Sequence, residues 1–224
     1  MGIAIAVTII SFWIIHLFYI LGISEVSFSS PMIYLHILLQ MYLSTGIFIT
    51  SHDAMHRNIC RNKFINNSIG YVTSFLFAGF NFKKLLKSHF IHHRAPTSGE
   101  DPDFNVHSQN FFLWWMKFLL NYVSVSQIII MALQFNILIL FFSKINVIIF
   151  WILPSFLSTL QLFYFGTYLP HRNPDHGLDS PHFARSQRKN HLWAMISCYF
   201  FGYHYEHHAS PKTPWWKLYR ISGN

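Results

Sequence analysis

Four stretches of this sequence run for over 20 residues without an Asp, Glu, Lys or Arg: 2–24, 31–52, 118–143 and 145–170. A helix needs roughly 20 mainly apolar residues to cross a bilayer, so each is long enough. The whole chain agrees, since 11% of its residues are charged, where a soluble domain carries about 25%. Hydrophobic residues make up 52% and aromatic ones 19%. A water-soluble monomer, a disordered chain and a collagenous repeat are excluded. So is a disulfide scaffold, because Cys60 and Cys198 are the only cysteines and form no CxxC.

The sequence therefore predicts an all-α integral membrane protein, one domain over 1–224, with four transmembrane helices at about 2–24, 31–52, 122–143 and 146–170. Pro31 suits a first helical turn, and Pro154 is able to kink the last span. The apolar segment 64–82 contains Asn66, Asn67, Gly70 and Gly79 and runs into Lys83 and Lys84, so it is expected to be interfacial or re-entrant. The first span has no basic n-region or small-residue cleavage site and is expected to be kept. There is no internal repeat and no Gly-rich phosphate loop.

Basic residues orient the spans. Of 16 Lys and Arg, eight lie in 53–117 and seven in 172–220, leaving Lys144 alone between the last two spans. The positive-inside rule places segments 53–117 and 171–224, with both termini, in the cytoplasm and the loops at Glu25 and Lys144 outside. Trp114, Trp115, Trp151, Trp215 and Trp216 are expected at or near the interfaces.

Fifteen histidines against eight acidic residues is an unusual ratio for a membrane chain, because histidine is costly in lipid and is a ready metal ligand. His52 and His56 form HxxxH; His89, His92 and His93 form HxxHH; His204, His207 and His208 form a second HxxHH. Residues three and four apart share a helix face, so each box points its imidazoles to one side. At this histidine frequency one HxxHH arises by chance about 0.07 times in such a chain, which makes two a signal beyond composition. All eight are expected on the cytoplasmic side, as a cap over the spans. Eight imidazoles exceed what one ion holds, so two metals are implied. Imidazole alone suits iron, copper, nickel or zinc, and the carboxylates of soluble di-iron bundles are missing.

His171 closes the fourth span at the depth of the boxes and is expected as a ninth ligand. His36 lies 16 positions before His52, about 24 Å along a helix, and cannot join. His16 reads as a hydrogen-bonded histidine within the first span. His107, His176, His182 and His191 read as loop residues. Asp53, Asp101, Asp103 and Glu206, in or beside the boxes, are candidates to accept the free imidazole N–H. The aromatic residues Phe111, Phe112, Trp114, Trp115, Phe163, Tyr164 and Phe165 either line a path from the bilayer or face lipid.

Three boxes of this kind resemble the membrane fatty acid desaturase and hydroxylase superfamily of non-haem di-iron enzymes. The flanking residues IFITSHDAMH (47–56), HFIHHRAPTSGEDPDF (89–104), QLFYFGTYLPHR (161–172), GYHYEHH (202–208) and PWWKL (214–218) are similar to those of the bacterial and cyanobacterial β-carotene ketolases, from about residue 40 onward. The pattern departs at Thr97 and Ser98, where Gly-Thr is expected, and in 173–181. The resemblance implies two irons on His52, His56, His89, His92, His93, His204, His207 and His208, with His171 in the LPH element, and O2 as co-substrate.

It also implies 4-ketolation of β-ionone rings, β-carotene giving echinenone and canthaxanthin by successive hydroxylation and dehydration. The implied partners are a carotenoid drawn from the bilayer, a reduced ferredoxin or similar donor, and membrane lipid, with no nucleic acid. The implied location is a bacterial inner membrane or a cyanobacterial membrane. The alternatives are a carotenoid 3-hydroxylase or acyl-lipid desaturase with the same boxes and, from another class, a membrane metal carrier or haem electron-transfer protein. A carrier needs polar groups at mid-membrane and a cytochrome needs ligand pairs within its spans. The histidine boxes instead sit together at one end of spans that hold no charge.

Overall fold

The computed structural model describes residues 1–23, 26–172 and 177–222; Glu25 and His176 fall outside them, as does much of the divergent 173–181 segment. The described residues are helical, without strands. Helices α1 (Gly2–Leu21) and α2 (Pro31–Met55) and the long α7 (Lys144–His171) are each long and apolar enough to cross a membrane. Between them come α3 (Lys63–Ala78), α4 (Phe82–Arg94), α5 (Phe111–Tyr122) and α6 (Val125–Leu138). After α7 follow α8 (His191–Cys198), α9 (His204–Ala209) and a 3-10 segment, Trp215–Arg220.

Helix α2 is the centre, packed against α1, α3 and α7. Its burial changes along its length. The first half buries Ile33, Ile37 and Gln40 on one face, whereas from Ser44 to Met55 nearly every residue is buried. The histidine end of α2 is thus enclosed on all sides. Burial against lipid supplies no drive for helix association, so packing and interhelical hydrogen bonds hold the bundle, each bond worth about 0.6 kcal/mol. Trp13 Nε1 donates to Ser44 Oγ at 3.0 Å, and Ser51 and Ser74 share a hydrogen bond at 2.6 Å. On α1 the buried residues Ala6, Ile9, Trp13, Leu17 and Ile20 recur at helical spacing, and Phe12, Ile15 and Phe18 point outward.

The uncharged stretch 118–143 is not one helix. Tyr122 ends α5 and Val125 begins α6, and their axes differ by 89° across the break. Val123 is extended, and Ser124 caps the new helix by accepting from the Gln127 backbone N–H at 3.3 Å. A local cap overrides apolar continuity here, because uncharged residues specify a solvent and not an axis.

The segment 64–82 forms α3 and the turn into α4. Asn62 caps α3 by accepting from the N–H groups of Phe64 and Ile65, and Gly79, at φ 66°, ends it in the left-handed conformation open to glycine. At 16 residues α3 falls short of the crossing length, and α4 leads back toward the end of α2.

In α7 the proline effect is a widening of the helix. Turns of π-helix at Ile148–Ile152 and Tyr164–Tyr168 each end two residues before a proline, Pro154 and Pro170. Proline donates no N–H and crowds the carbonyl four residues back, and a wider turn moves that carbonyl aside. Gly166, in the second widened turn, lets the Phe201 ring approach so closely that a Cβ there would lie 2.2 Å from it.

Candidate metal centre

All three boxes and His171 meet at one end of the bundle, supplied by the ends of α2, α4 and α7 and by α9. Two groups of four imidazoles form, each with its ring nitrogens within 4.8 Å of one another: His52, His56, His89 and His207, and His92, His171, His204 and His208. All eight are buried. His93 stands between the groups. Its Nε2 lies 3.0 Å from Nε2 of both His89 and His207, while its ring stacks on His208 with centroids 4.2 Å apart.

Each HxxHH box is divided between the two groups. On α4, His89 serves the first and His92 the second; on α9, His207 serves the first and His204 and His208 the second. Residues three or four apart share a helix face but differ in height and angle, so one short helix reaches two points.

The donor set fits metal ions. Within the groups, facing Nε2 atoms are 2.6 Å apart for His56 and His89 and 3.1 Å for His92 with His208 and for His204 with His208. Two nitrogens held at right angles about 2.1 Å from one ion stand about 3.0 Å apart. Hydrogen bonding does not explain the convergence, because Nε2 of His93 faces two other Nε2 atoms and a neutral ring nitrogen offers one proton or one lone pair. Nε2 of His52 and of His171 are buried with no hydrogen-bond partner. Burial pushes His56 down to about 4 and holds His89, His93, His204, His207 and His208 below the usual histidine range, so these rings are neutral as ligands must be.

Outer contacts fix two of the rings. Both oxygens of Asp101 lie 3.0 Å from Nδ1 of His92. Burial alone would lower His92, but the charge and hydrogen bond of Asp101, with the charge of Asp103, outweigh it and raise the ring. An ionised carboxylate only accepts, so Nδ1 holds a proton toward Asp101, and in the neutral ring that a ligand must be, Nε2 carries the lone pair facing the cluster. His171 is set the same way, its Nδ1 donating to the Phe183 carbonyl at 2.8 Å.

Asp103 sits 3.9 Å from Nδ1 of His92 and accepts from the Tyr122 hydroxyl. Burial, reinforced by the charge of Asp101, pushes its carboxyl up to about 6 against the pull of His92 and Tyr122. The loop carrying both carboxylates is clamped by α5, where Trp114 Nε1 donates to the Asp103 carbonyl at 2.7 Å and Lys117 Nζ to that of Phe104 at 2.9 Å.

A cleft, about 970 Å³ counting the open space at its mouth, runs up to His52, His89, His92 and His204. Its walls are mostly apolar, with Phe48, Phe77, Phe118, Leu119, Leu162 and Phe201.

A fatty acid desaturase family model matches residues 28–145 and 121–223. The chain belongs to the fatty acid desaturase family. Among curated relatives of this desaturase-family chain is a zeaxanthin 4-ketolase of Chlamydomonas reinhardtii, 34% identical over 97% of this chain and 52% of that protein. A β-carotene ketolase of Paracoccus sp. (strain N81106 / MBIC 01143) is 35% identical over 79% of this chain and 74% of its own length. A β-carotene 4-ketolase 3 of Haematococcus lacustris is 34% identical over 81% of this chain and 60% of its own length. The chain thus spans about half the algal zeaxanthin enzyme and nearly three quarters of the bacterial one. No solved structure matches.

Other candidates from the sequence stand elsewhere in this family member. Asp53 accepts from the Trp215 backbone N–H at 3.2 Å, tying the PWW segment to α2, and Glu206 accepts from Ser186. Neither shows a contact with a box imidazole. His182 packs on Tyr205 and edge-on to the His208 ring, with centroids 6.4 Å apart, yet belongs to neither group; the hydrogen bond that links its loop to the centre is accepted by the Phe183 carbonyl. His191 bonds the Tyr203 hydroxyl at 2.6 Å, and His107 lies in a turn with Asn105. His16 pairs with His36 at 3.1 Å and with Gln40 at 2.6 Å, away from the groups.

None of the seven aromatics weighed between a path and lipid lines the cleft; Trp114, Trp115 and Phe163 are core, whereas Phe112 and Tyr164 point outward. Phe183 and Tyr122 gave no sequence signal, since one acts through its backbone and the other through a loop partner 19 residues away.

Proposed function

We propose that the protein is a β-carotene 4-ketolase that oxidises C4 of β-ionone rings. The observation that carries this reading is an apolar cleft ending at both imidazole groups, in a chain whose relatives are ketolases of β-carotene and zeaxanthin. Each ring CH2 becomes a carbonyl through an alcohol and a geminal diol, consuming two O2, four electrons and four protons and leaving three waters.

Two irons would be held by the clusters, the first by His52, His56, His89 and His207 with His93, the second by His92, His171, His204 and His208. When bound, the pair would supply the O2 activation needed to oxidise the allylic carbon. The chain's own residues do the rest. The cleft walls orient the ring and exclude water, Asp101 holds the proton on Nδ1 of His92, and the Phe183 carbonyl holds that on Nδ1 of His171.

The carotenoid enters from the bilayer. Electrons come from a separate acidic donor such as reduced ferredoxin, suited to a face carrying 15 of the 16 basic residues. Taking the bent α5–α6 pair as one membrane element, the chain crosses four times with the histidine cap in the cytoplasm, in keeping with its charge distribution. Expression in cells that accumulate β-carotene, followed by pigment chromatography, tests the reading: echinenone and canthaxanthin are expected. Only 3-hydroxylated pigment would reassign the chain to the hydroxylase branch.

A further inference from the structure

Two locally costly features of the backbone converge on one ring, that of Phe201. The first is at the end of α8, where Tyr199 and Phe200 both take left-handed conformations, at φ 47° and 60°. Such angles suit glycine, and two in succession at aromatic residues persist only where packing and hydrogen bonds hold them. Here the Tyr199 N–H donates to the Met195 carbonyl at 2.9 Å and the Phe200 N–H to that of Ala194 at 2.8 Å, while the Tyr199 ring stacks on Tyr42 with centroids 4.4 Å apart. The turn leaves Phe201 buried. The second feature is the widened turn of α7 at Tyr164–Tyr168, where Gly166 leaves the room that the Phe201 ring fills. Phe201 lines the cleft at the end where the imidazoles stand. Its ring is edge-on to His52 of the first group at 4.8 Å between centroids and to His204 of the second at 5.2 Å.

We infer that Phe201, backed by Gly166, is a specificity-determining residue: its ring stops the tip of the β-ionone ring at the end of the cleft, so that C4 and not C3 faces the metal centre. This rests on the ketolase reading above. A hydrocarbon ring has no polar group to fix its depth, so the shape of the wall must do so. In a β-ionone ring C3 is the far tip, opposite the carbon that bears the polyene, and C4 is its neighbour, one carbon–carbon bond or about 1.5 Å away. A stop against the tip leaves the flank, with C4, beside the imidazole groups. Leucine ends about one such bond short of the far edge of a phenyl ring, so Phe201→Leu lets the tip advance by the distance that separates the two carbons. A methyl group at residue 166 acts in the opposite sense, because a Cβ there lies 2.2 Å from the Phe201 ring and displaces it toward the open cleft.

The test compares wild type with Phe201→Leu, Gly166→Ala and the double variant. In cells that make β-carotene, Phe201→Leu is expected to raise the ratio of 3-hydroxylated to 4-keto pigment about tenfold, with iron per chain unchanged. In purified protein held in lipid nanodiscs without an electron donor, so that no turnover occurs, Gly166→Ala is expected to retain about tenfold less β-carotene than wild type, and the added Phe201→Leu to restore retention. An unchanged pigment ratio in Phe201→Leu overturns the proposal. So does loss of iron together with all oxygenated pigment, which would make Phe201 a support for the imidazoles, and so does a double variant that binds no better than Gly166→Ala. Should Phe201→Leu fail to fold, Phe201→Ile carries the same comparisons. The retention arm needs no turnover, so a wild type that binds β-carotene but forms no ketone overturns the ketolase reading, and the stop at Phe201 then stands or falls on the rescue.

Discussion

The two imidazole groups are close in composition and unlike in construction. The first takes His52 from α2 and His56 from its C-terminal cap, His89 from α4 and His207 from α9, and no carboxylate or carbonyl is seen on its imidazoles among the described residues. The second takes His171 from the last turn of α7 and has two rings set by loop groups, Asp101 on His92 and the Phe183 carbonyl on His171. One group is thus oriented by helix packing, the other by hydrogen bonds from irregular segments. Packing positions a ring through many small contacts, whereas a single outer hydrogen bond is worth about 10- to 100-fold in metal affinity. Point changes outside the histidines should therefore reach the second group more readily than the first.

The largest effect tests whether both groups are needed. His207→Ala in the first and His92→Ala in the second should each lower ketone formation beyond the ~100-fold seen for outer partners, with protein still in the membrane fraction. An active variant of either would reduce the centre to one working group. His171→Ala should come next, with iron falling from about two per chain toward about one, since the second group holds four rings where the first has five within reach. His182→Ala, on the loop that carries Phe183, should leave iron within about twofold of wild type, and the reverse ranking would mean that the loop contributes a side chain and not its backbone.

Asp101→Asn sharpens the contrast further. It should weaken iron at the second group about 10- to 100-fold and spare the first, a split that metal analysis during stepwise chelation resolves. Equal loss from both groups would show that the loop acts on the whole cap. Two small effects complete the series. Asn62→Ala removes the cap of α3 and should cost about 1 kcal/mol of stability while leaving iron per folded chain unchanged. His36→Ala should leave ketone formation as it is, because that ring pairs with His16 on the far part of the bundle.

The sequence by itself determined the solvent, the class of fold and the eight box histidines. Charge exclusion over 2–24, 31–52 and 145–170 is a local property, and helices within those limits fold as α1, α2 and α7, with ends shifted by a few residues. The boxes were legible for the same reason, since three- and four-residue spacing on a helix sets a shared face without reference to the rest of the chain.

Tertiary structure decided the rest. Which imidazole serves which group depends on the height and crossing of α2, α4, α7 and α9, and no spacing within one box encodes it. The α5–α6 bend turns on Ser124 capping a new helix inside an uncharged run. Among the acidic candidates only Asp101 bonds a box imidazole within hydrogen-bond distance, because α5 clamps its loop against α4, while Asp53 and Glu206, nearer in sequence to histidines, find other partners. A side chain's neighbours along the chain fix its direction from the helix axis, but its partner across space is fixed by where other helices end, and that information is spread over the whole fold.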